Sequence, residues 1–363
     1  MQQKVTLKDV AQLAGVSVAT ASYVLNRSPN QKISKETRAR VREAARALSY
    51  LPNTSAQSLR SNRSGCIGVA IDKEFTVPRY AQTLQGIRQV LEENGYQLMI
   101  CATKVLRGEY PDYLNCYFSR AVDGIIHIGA DNKDLPQEME EVIIRHGIPA
   151  VAFDCSSNSR VSSVRINYFT GAKDLALYMA DCGVRNIHYI RPAIDTVQER
   201  QREQGILRAV YERPELELTL HRLQFSYSGT NMQIYQSNFS KIEQAEFEEY
   251  AQAVHGLVDD FRDSMERVAV KGKVLEDSAI ICSWAAMEQH VCAALEGLPF
   301  RPRIGVLAQG LLFPGSYPYI TYCELPNYAA GQACARQVLQ LLENPEAITH
   351  TLLDPVISPI AAR

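Results

Sequence analysis

Residues 16–26 read VSVATASYVLN, and their side chains bound what this stretch could do. Val18 and Ala19 offer small apolar groups that can meet a methyl. Ser17, Thr20 and Ser22 offer hydroxyls that can each hydrogen-bond an oxyanion, and the phenol of Tyr23 can serve either purpose. None is charged, and none has the forked donor pair of an arginine. Catalytic chemistry finds no foothold elsewhere in the chain. There is no G-x-G-x-x-G after a strand, no G-x-x-x-x-G-K-S/T, no H-E-x-x-H and no G-x-S-x-G. The 7 histidines (127, 146, 188, 221, 255, 290, 350) form no spaced metal set. The 9 cysteines (66, 101, 116, 155, 182, 282, 292, 323, 334) are odd in number and contain no C-x-x-C pair. That favours reduced thiols over a disulfide framework or a zinc site. A protein that is not an enzyme, with no cofactor and no metal, is the expectation.

The elements around VSVATASYVLN explain how it would be positioned. In TLKDVAQLAG, Leu7, Val10, Ala11 and Ala14 fall on one helical face, and Gly15 can take the left-handed conformation that ends a helix. Ser17 is a good cap for a second helix, whose inward face is Ala21, Val24 and Leu25. Two short helices joined by a tight glycine turn make a helix-turn-helix. A third helix follows, capped by Ser34, with Val41, Ala44, Ala45 and Leu48 as its buried stripe. Opposite the inward face of helix two stand Ala19 and Tyr23, flanked by Thr20 and Ser22, with Val18 near the N-terminal end. These would enter a DNA major groove, where apolar groups meet thymine methyls.

Charge agrees with that reading. Residues 1–63 hold eleven Lys/Arg and three Asp/Glu, leaving 27 basic and 37 acidic residues in the remainder out of totals of 38 and 40. A basic head on an acidic body suggests that the head meets phosphate. Thr6, Ser17, Thr20, Ser22 and Asn26 are the residues expected at phosphates, with the helix N-terminus. Between head and body, the polar run 53–61 is too short and too polar to be stable alone. Its residues read either as a plain linker or as a segment that folds on DNA with Leu59 wedged into the minor groove.

VTLKDVAQLAGVSVATASYVLN, ISKETRARVREAARALSYLPN and AQSLRSNRSGCIGVAI together resemble the lactose-repressor family of bacterial transcription regulators. By that resemblance Val18, Ala19 and Tyr23 occupy base-reading positions and Leu59 is the hinge lever. Asn53, Ala56 and Arg60 match hinge positions that face the minor groove. Two departures stand out. The family usually has arginine where Tyr23 stands, and the loop NRSPNQKIS is longer than usual.

From Gly65 onward, short apolar runs alternate with amphipathic helices: CIGVAI, YQLMICA, GIIHIG, AVAFD, SVRIN, NIHYI, TLHRLQF, SAIICS and RIGVLAQ are the strand-like segments. The pattern predicts α/β architecture, parallel sheets covered on both faces, in two lobes. It resembles the periplasmic-binding-protein-like effector body of the family. The expected organisation is a helix-turn-helix domain over 1–52, a hinge over 53–64 and an effector-binding and dimerisation domain over 65–363. Its N-lobe takes about 65–163 and 320–345 and its C-lobe about 164–319 and 346–363, with crossings near 162–165, 318–322 and 344–347.

Ligands of such open sheets bind outside the carboxyl ends of strands, here between the lobes. Arg79, Tyr80, Asp154 and Arg202 align with family effector contacts, and the single tryptophan, Trp284, could stack on a flat ring or sugar face. Trp284-Ala285 stands where Asn-Asp is usual, Gly310 where an acidic residue is usual, and Asn167 where Asp is usual. Loss of acidic groups makes a simple hexose less suitable. The long polar stretch 226–276 has no assigned purpose.

The reading is a sequence-specific transcription regulator, a repressor, that binds a pseudo-palindromic double-stranded operator as a homodimer. Its affinity would be set by an unidentified small-molecule effector such as a sugar, nucleoside or related metabolite. A sequence-neutral DNA architectural protein, or a regulator whose body no longer binds a sugar-type effector, are the alternatives. The start MQQKVTLKDV has no apolar signal core and no apolar run approaches the length of a membrane span, so a cytoplasmic, nucleoid-associated bacterial protein without a membrane partner is expected. With no long C-terminal heptad run after Pro355, a dimer is favoured over a tetramer.

Overall fold

A computed structural model describes residues 5–25, 33–50, 63–71, 78–129, 135–155, 160–223, 277–284, 288, 291–292, 302–307 and 320–358. Asn26, the hinge positions Asn53, Ala56, Leu59 and Arg60, and the stretch 226–276 lie outside the described residues. The chain divides into two units, Met1–Gly65 and Cys66–Arg363.

Among the described residues the first unit has three helices, α1 (Leu7–Ala14), α2 (Val18–Leu25) and α3 (Lys35–Ala47). Each begins where a local signal dictates. The Thr6 N–H and hydroxyl both donate to Asp9 Oδ2, at 2.8 and 2.7 Å. Ser17 Oγ accepts from the Thr20 N–H at 3.1 Å, and Ser34 Oγ accepts from the Thr37 N–H at 3.2 Å. Gly15 takes φ 63°, a left-handed cap that costs little only without a Cβ, so the chain reverses at once into α2. Val10, Ala11 and Ala14 of α1, Ala21 and Val24 of α2, and Val41, Ala44 and Ala45 of α3 form one buried cluster. Three alanine-rich faces let short helices approach closely enough to exclude water from a very small core.

The second unit has two six-stranded sheets. The first has order β11-β5-β4-β3-β1-β2, with β1 Cys66–Ala70, β2 Gln97–Cys101, β3 Gly124–Ile128, β4 Ala150–Phe153, β5 Ser162–Ile166 and β11 His350–Leu353, all paired parallel. The second has order β12-β10-β9-β8-β6-β7, with β6 Asn186–Pro192, β7 Glu217–Leu223, β8 Ser278–Cys282, β9 Arg303–Val306, β10 Ile320–Glu324 and β12 Val356–Ser358. Among the described residues, only the β10–β12 pairing in it is antiparallel. The central strands β3 and β8 are buried at every residue, as expected of parallel strands covered on both faces.

Helices α4 (Pro78–Glu93) and α9 (Asn327–Glu343) close one face of the first sheet, sharing a core with Ile67, Val69, Ile126 and Phe153. Helices α5 (Asp112–Phe118) and α6 (Gln137–Arg145) close the other around Tyr113, Leu114 and Ile125. Helices α7 (Tyr168–Asp181) and α8 (Val197–Glu212) pack together on the second sheet. The α4–α9 contact is backbone to backbone. A Cβ on Gly331 would lie 2.0 Å from the Thr83 carbonyl oxygen, and one on Gly86 would lie 2.1 Å from that of Tyr328.

The lobe boundaries differ from those expected. Residues 320–324 pair with β9 and β12, so they belong to the second sheet and not to the N-lobe. Strand β5 stays in the first sheet through Ile166, and residues 350–353 return to pair with β5. The chain therefore crosses at residue 167, at 325–326 and at 354–355, each time later than anticipated. Register across a sheet edge decides these points, and no local pattern records it. The first and third crossings are tied together: Asn167 Nδ2 donates to Asp354 Oδ1 at 2.8 Å, while Asn167 Oδ1 accepts from the Thr170 N–H at 3.2 Å and so caps α7.

Candidate functional site

In the head, α2 buries Ala21 and Val24 and turns Val18, Ala19 and Tyr23 outward. Val18 is 46% exposed and Tyr23 41%, large apolar surfaces that gain nothing from water. These side chains stand on a helix of eight residues, beside its capped N-terminus. Its hydroxyls are organised. Ser17 and Thr20 share one hydrogen bond of 2.8 Å, so only one hydroxyl proton is spent and the other is left for an oxyanion acceptor. Ser22 is half-buried on the same helix. Thr6 differs: its hydroxyl proton is engaged by Asp9, and that hydrogen bond leads the causes that hold the Asp9 carboxyl below its ordinary range. Thr6 therefore supports α1, and its hydroxyl could donate to a phosphate only by releasing Asp9. Lys8, Arg40, Arg42 and Arg46 are exposed on α1 and α3.

In the body, a second constellation joins the two lobes. Asp154 follows β4 with φ 53°, a left-handed backbone uncommon outside glycine. That turn brings its carboxylate into an ion pair with Arg79 of α4. The Tyr168 hydroxyl, at the start of α7 in the other lobe, donates to the same Asp154 Oδ2 at 2.9 Å. The Arg202 guanidinium lies 4.8 Å from the Tyr168 ring centroid and pairs with Glu199 one turn earlier on α8. Glu199, only 1% exposed, accepts from the Ser283 hydroxyl at 2.7 Å and from Trp284 Nε1 at 2.9 Å. Arg191 Nε approaches it at 3.8 Å. Burial works to lower the Arg202 pKa, but the Glu199 charge, the Tyr168 and Tyr189 phenols and the Glu199 hydrogen bond outweigh it and raise it. The guanidinium is thus a fixed cation in this site.

Four of the five expected cleft residues, Arg79, Asp154, Arg202 and Trp284, join this network. Tyr80 does not line open space: it is 1% exposed, packed in the N-lobe core with the Arg79 guanidinium 5.5 Å from its ring. Tyr168, Glu199, Ser283 and Arg191 were not anticipated. The i,i+3 spacing of Glu199 and Arg202 is visible in VQERQREQG, but such pairs are common on exposed helix faces, and only packing shows this one to be buried.

Residues 6–53 match a family described as bacterial regulatory proteins, lacI family. The HTH-type transcriptional repressor PurR of Mannheimia succiniciproducens is 28% identical over 208 residues, covering 57% of this chain and 61% of that protein. The sucrose operon repressor of Klebsiella pneumoniae is 37% identical over 180 residues, covering 48% of this chain and 51% of that protein. The chain spans about three-fifths of the length of the PurR relatives it matches. The lac repressor dimer bound to operator and an anti-inducer shares the fold, with a TM-score of 0.69 and 20% identity over 98% of both chains.

Proposed function

We propose that this chain, whose residues 6–53 match the family described as bacterial regulatory proteins, lacI family, is a sequence-specific transcription repressor, a DNA-binding protein and not an enzyme, acting in the bacterial cytoplasm on the nucleoid. The observation that carries this reading is the outward face of α2, where Val18, Ala19 and Tyr23 stand exposed on a helix whose N-terminus is capped by Ser17. That face suits a major groove: two aliphatic groups for thymine methyls and one phenol for a hydrogen bond or a stacked edge. Ser17, Thr20, Ser22 and Asn26 serve phosphates, and Thr6 holds the start of α1. Asn53, Ala56, Leu59 and Arg60 form a hinge in the minor groove, Leu59 wedging a base step at the centre of a pseudo-palindrome bound by a homodimer. Among the described residues no helix is long and apolar enough to cross a membrane.

The body answers a small molecule through the Arg79–Asp154–Tyr168–Arg202–Glu199 network, which couples N-lobe to C-lobe. Both arginines already hold a carboxylate, so an anionic effector would have to displace one. A neutral, hydroxyl-bearing ligand of the sugar or nucleoside class can instead exchange hydrogen bonds with Asp154, Ser283 and Trp284. Selection from a random duplex library at two salt concentrations tests the proposal. An enriched palindrome with binding that falls steeply with salt is expected. Binding without enrichment would replace it with a sequence-neutral architectural role, and no binding would remove both.

A further inference from the structure

Two thiols and a carboxylate that are remote from one another in sequence meet in the N-lobe. Cys101 is the last residue of β2, while Asp112 and Cys116 lie four apart on α5 and so share one face of that helix. The three ligand atoms, Cys101 Sγ, Cys116 Sγ and an Asp112 carboxylate oxygen, all lie within 4.8 Å of one another. The Cys101 thiol meanwhile donates to the Met99 carbonyl at 3.8 Å, a weak bond that a cation would replace. We propose that Cys101, Cys116 and Asp112 bind one divalent, thiolate-preferring cation of the zinc type, independently of the DNA-binding face and the inter-lobe network.

Geometry supports a cation more than a disulfide. Tetrahedral zinc with bonds of about 2.3 Å to sulfur and about 2.1 Å to oxygen needs ligand atoms roughly 3.5–3.8 Å apart. Closing from the observed separations takes on the order of 1 Å, within reach of side-chain rotation. A disulfide would need the sulfurs at about 2.0 Å, a larger displacement than a shared cation requires. The carboxylate is already oriented, because Asp112 Oδ2 accepts the Ala102 N–H at 3.1 Å just beyond the end of β2. Cys101 is buried, whereas Asp112 and Cys116 are half-buried, so the cluster is walled on one side and reachable on the other. Room for the inner sulfur comes from Gly68 on β1, where an added Cβ would lie 3.2 Å from Cys101 Sγ. Binding replaces the two S–H bonds by two metal–thiolate bonds, releases two protons to water, and leaves the fourth position of the cation to a water molecule.

The test is cobalt(II) titration of the reduced, full-length chain, followed by near-ultraviolet thiolate-to-cobalt charge-transfer absorption and by metal content after desalting. One cobalt per chain, displaced by zinc, is expected. Asp112→Asn keeps the hydrogen bond to Ala102 but should weaken binding at least tenfold with the band retained at saturation. Cys116→Ser should abolish the band while circular dichroism stays unchanged, and Cys66→Ser, outside the cluster, should leave binding intact. Cys101→Ser should likewise abolish the band; if that variant fails to fold, Asp112→Asn and Cys116→Ser still decide. No charge-transfer band at one equivalent, or a band that survives in Cys116→Ser, would overturn the proposal. So would a Cys101–Cys116 disulfide formed under diamide in a chain that takes up no cobalt.

Discussion

The Arg202 guanidinium rests 4.8 Å from the centre of the Tyr168 ring, and the hydroxyl of that same ring reaches across the first crossing to Asp154. One tyrosine therefore faces a cation of one lobe with its ring and a carboxylate of the other with its oxygen. A change of lobe angle must alter at least one of these contacts, which makes the pair a natural place for closure to be felt.

Glu199 is the group that makes this arrangement tolerable, since it neutralises Arg202 inside the body. Glu199→Gln should lower the stability of the body by about 3 kcal/mol, because a buried guanidinium loses its counter-charge. Adding Arg202→Met should recover most of the loss. Urea denaturation of the single and double variants checks this, and additive losses would refute the coupling.

Tyr23 stands exposed at a position where, by the resemblance of the head to the lactose-repressor family, arginine is usual. Tyr23→Arg should shift base preference toward guanine at one pair per half-site, by about 1–3 kcal/mol, as a forked donor replaces a phenol. Library selection with both proteins decides it. An identical motif from the two would show that position 23 does not face a base.

Burial lowers the His127 pKa to about 4, from an ordinary value near 6.5. The fold thus holds the neutral ring, and the unfolded chain alone takes up a proton as pH falls below 6.5. The stabilisation is present in full above 6.5 and is lost as pH falls from there toward 4, to a total of roughly 3 kcal/mol. His127→Leu should flatten the difference between urea midpoints at pH 7.5 and 4.5. The ring packs 5.6 Å from that of Tyr113, and its buried Nδ1 has no hydrogen-bond partner among the described residues, so little should be lost at pH 7.5. An unchanged slope would assign the acid sensitivity elsewhere, His188 being the other candidate since its pKa is also lowered to about 4, first by burial and then by His221.

Gly331→Ala should destabilise the N-lobe by about 3 kcal/mol, since the new methyl meets the Thr83 carbonyl and two helices must separate. Gln340→Ala, exposed on the same helix, should be close to neutral. Thermal melts of the two variants give the comparison directly.

What the sequence determined by itself is local. Capping residues, a glycine turn and 3.6-residue periodicity defined the three head helices and the outward position of Val18, Ala19 and Tyr23, because each signal acts within a few residues. Apolar runs likewise marked β1 to β9, and the alternation with amphipathic helices fixed an α/β body. The tertiary structure alone decided the rest. Strands β10, β11 and β12 carry no distinct pattern, and their membership in one sheet or the other depends on pairing with strands up to 187 residues away, as Ser163 with His350. Arg79, Asp154, Arg202 and Trp284 could be named in advance, but not that Glu199 and Tyr168 would hold them together, because burial of a charge is a property of what packs around it. The meeting of Cys101 with Asp112 and Cys116 is of the same kind: the spacing hides it, and only the end of a strand laid against a helix face brings the three ligand atoms together.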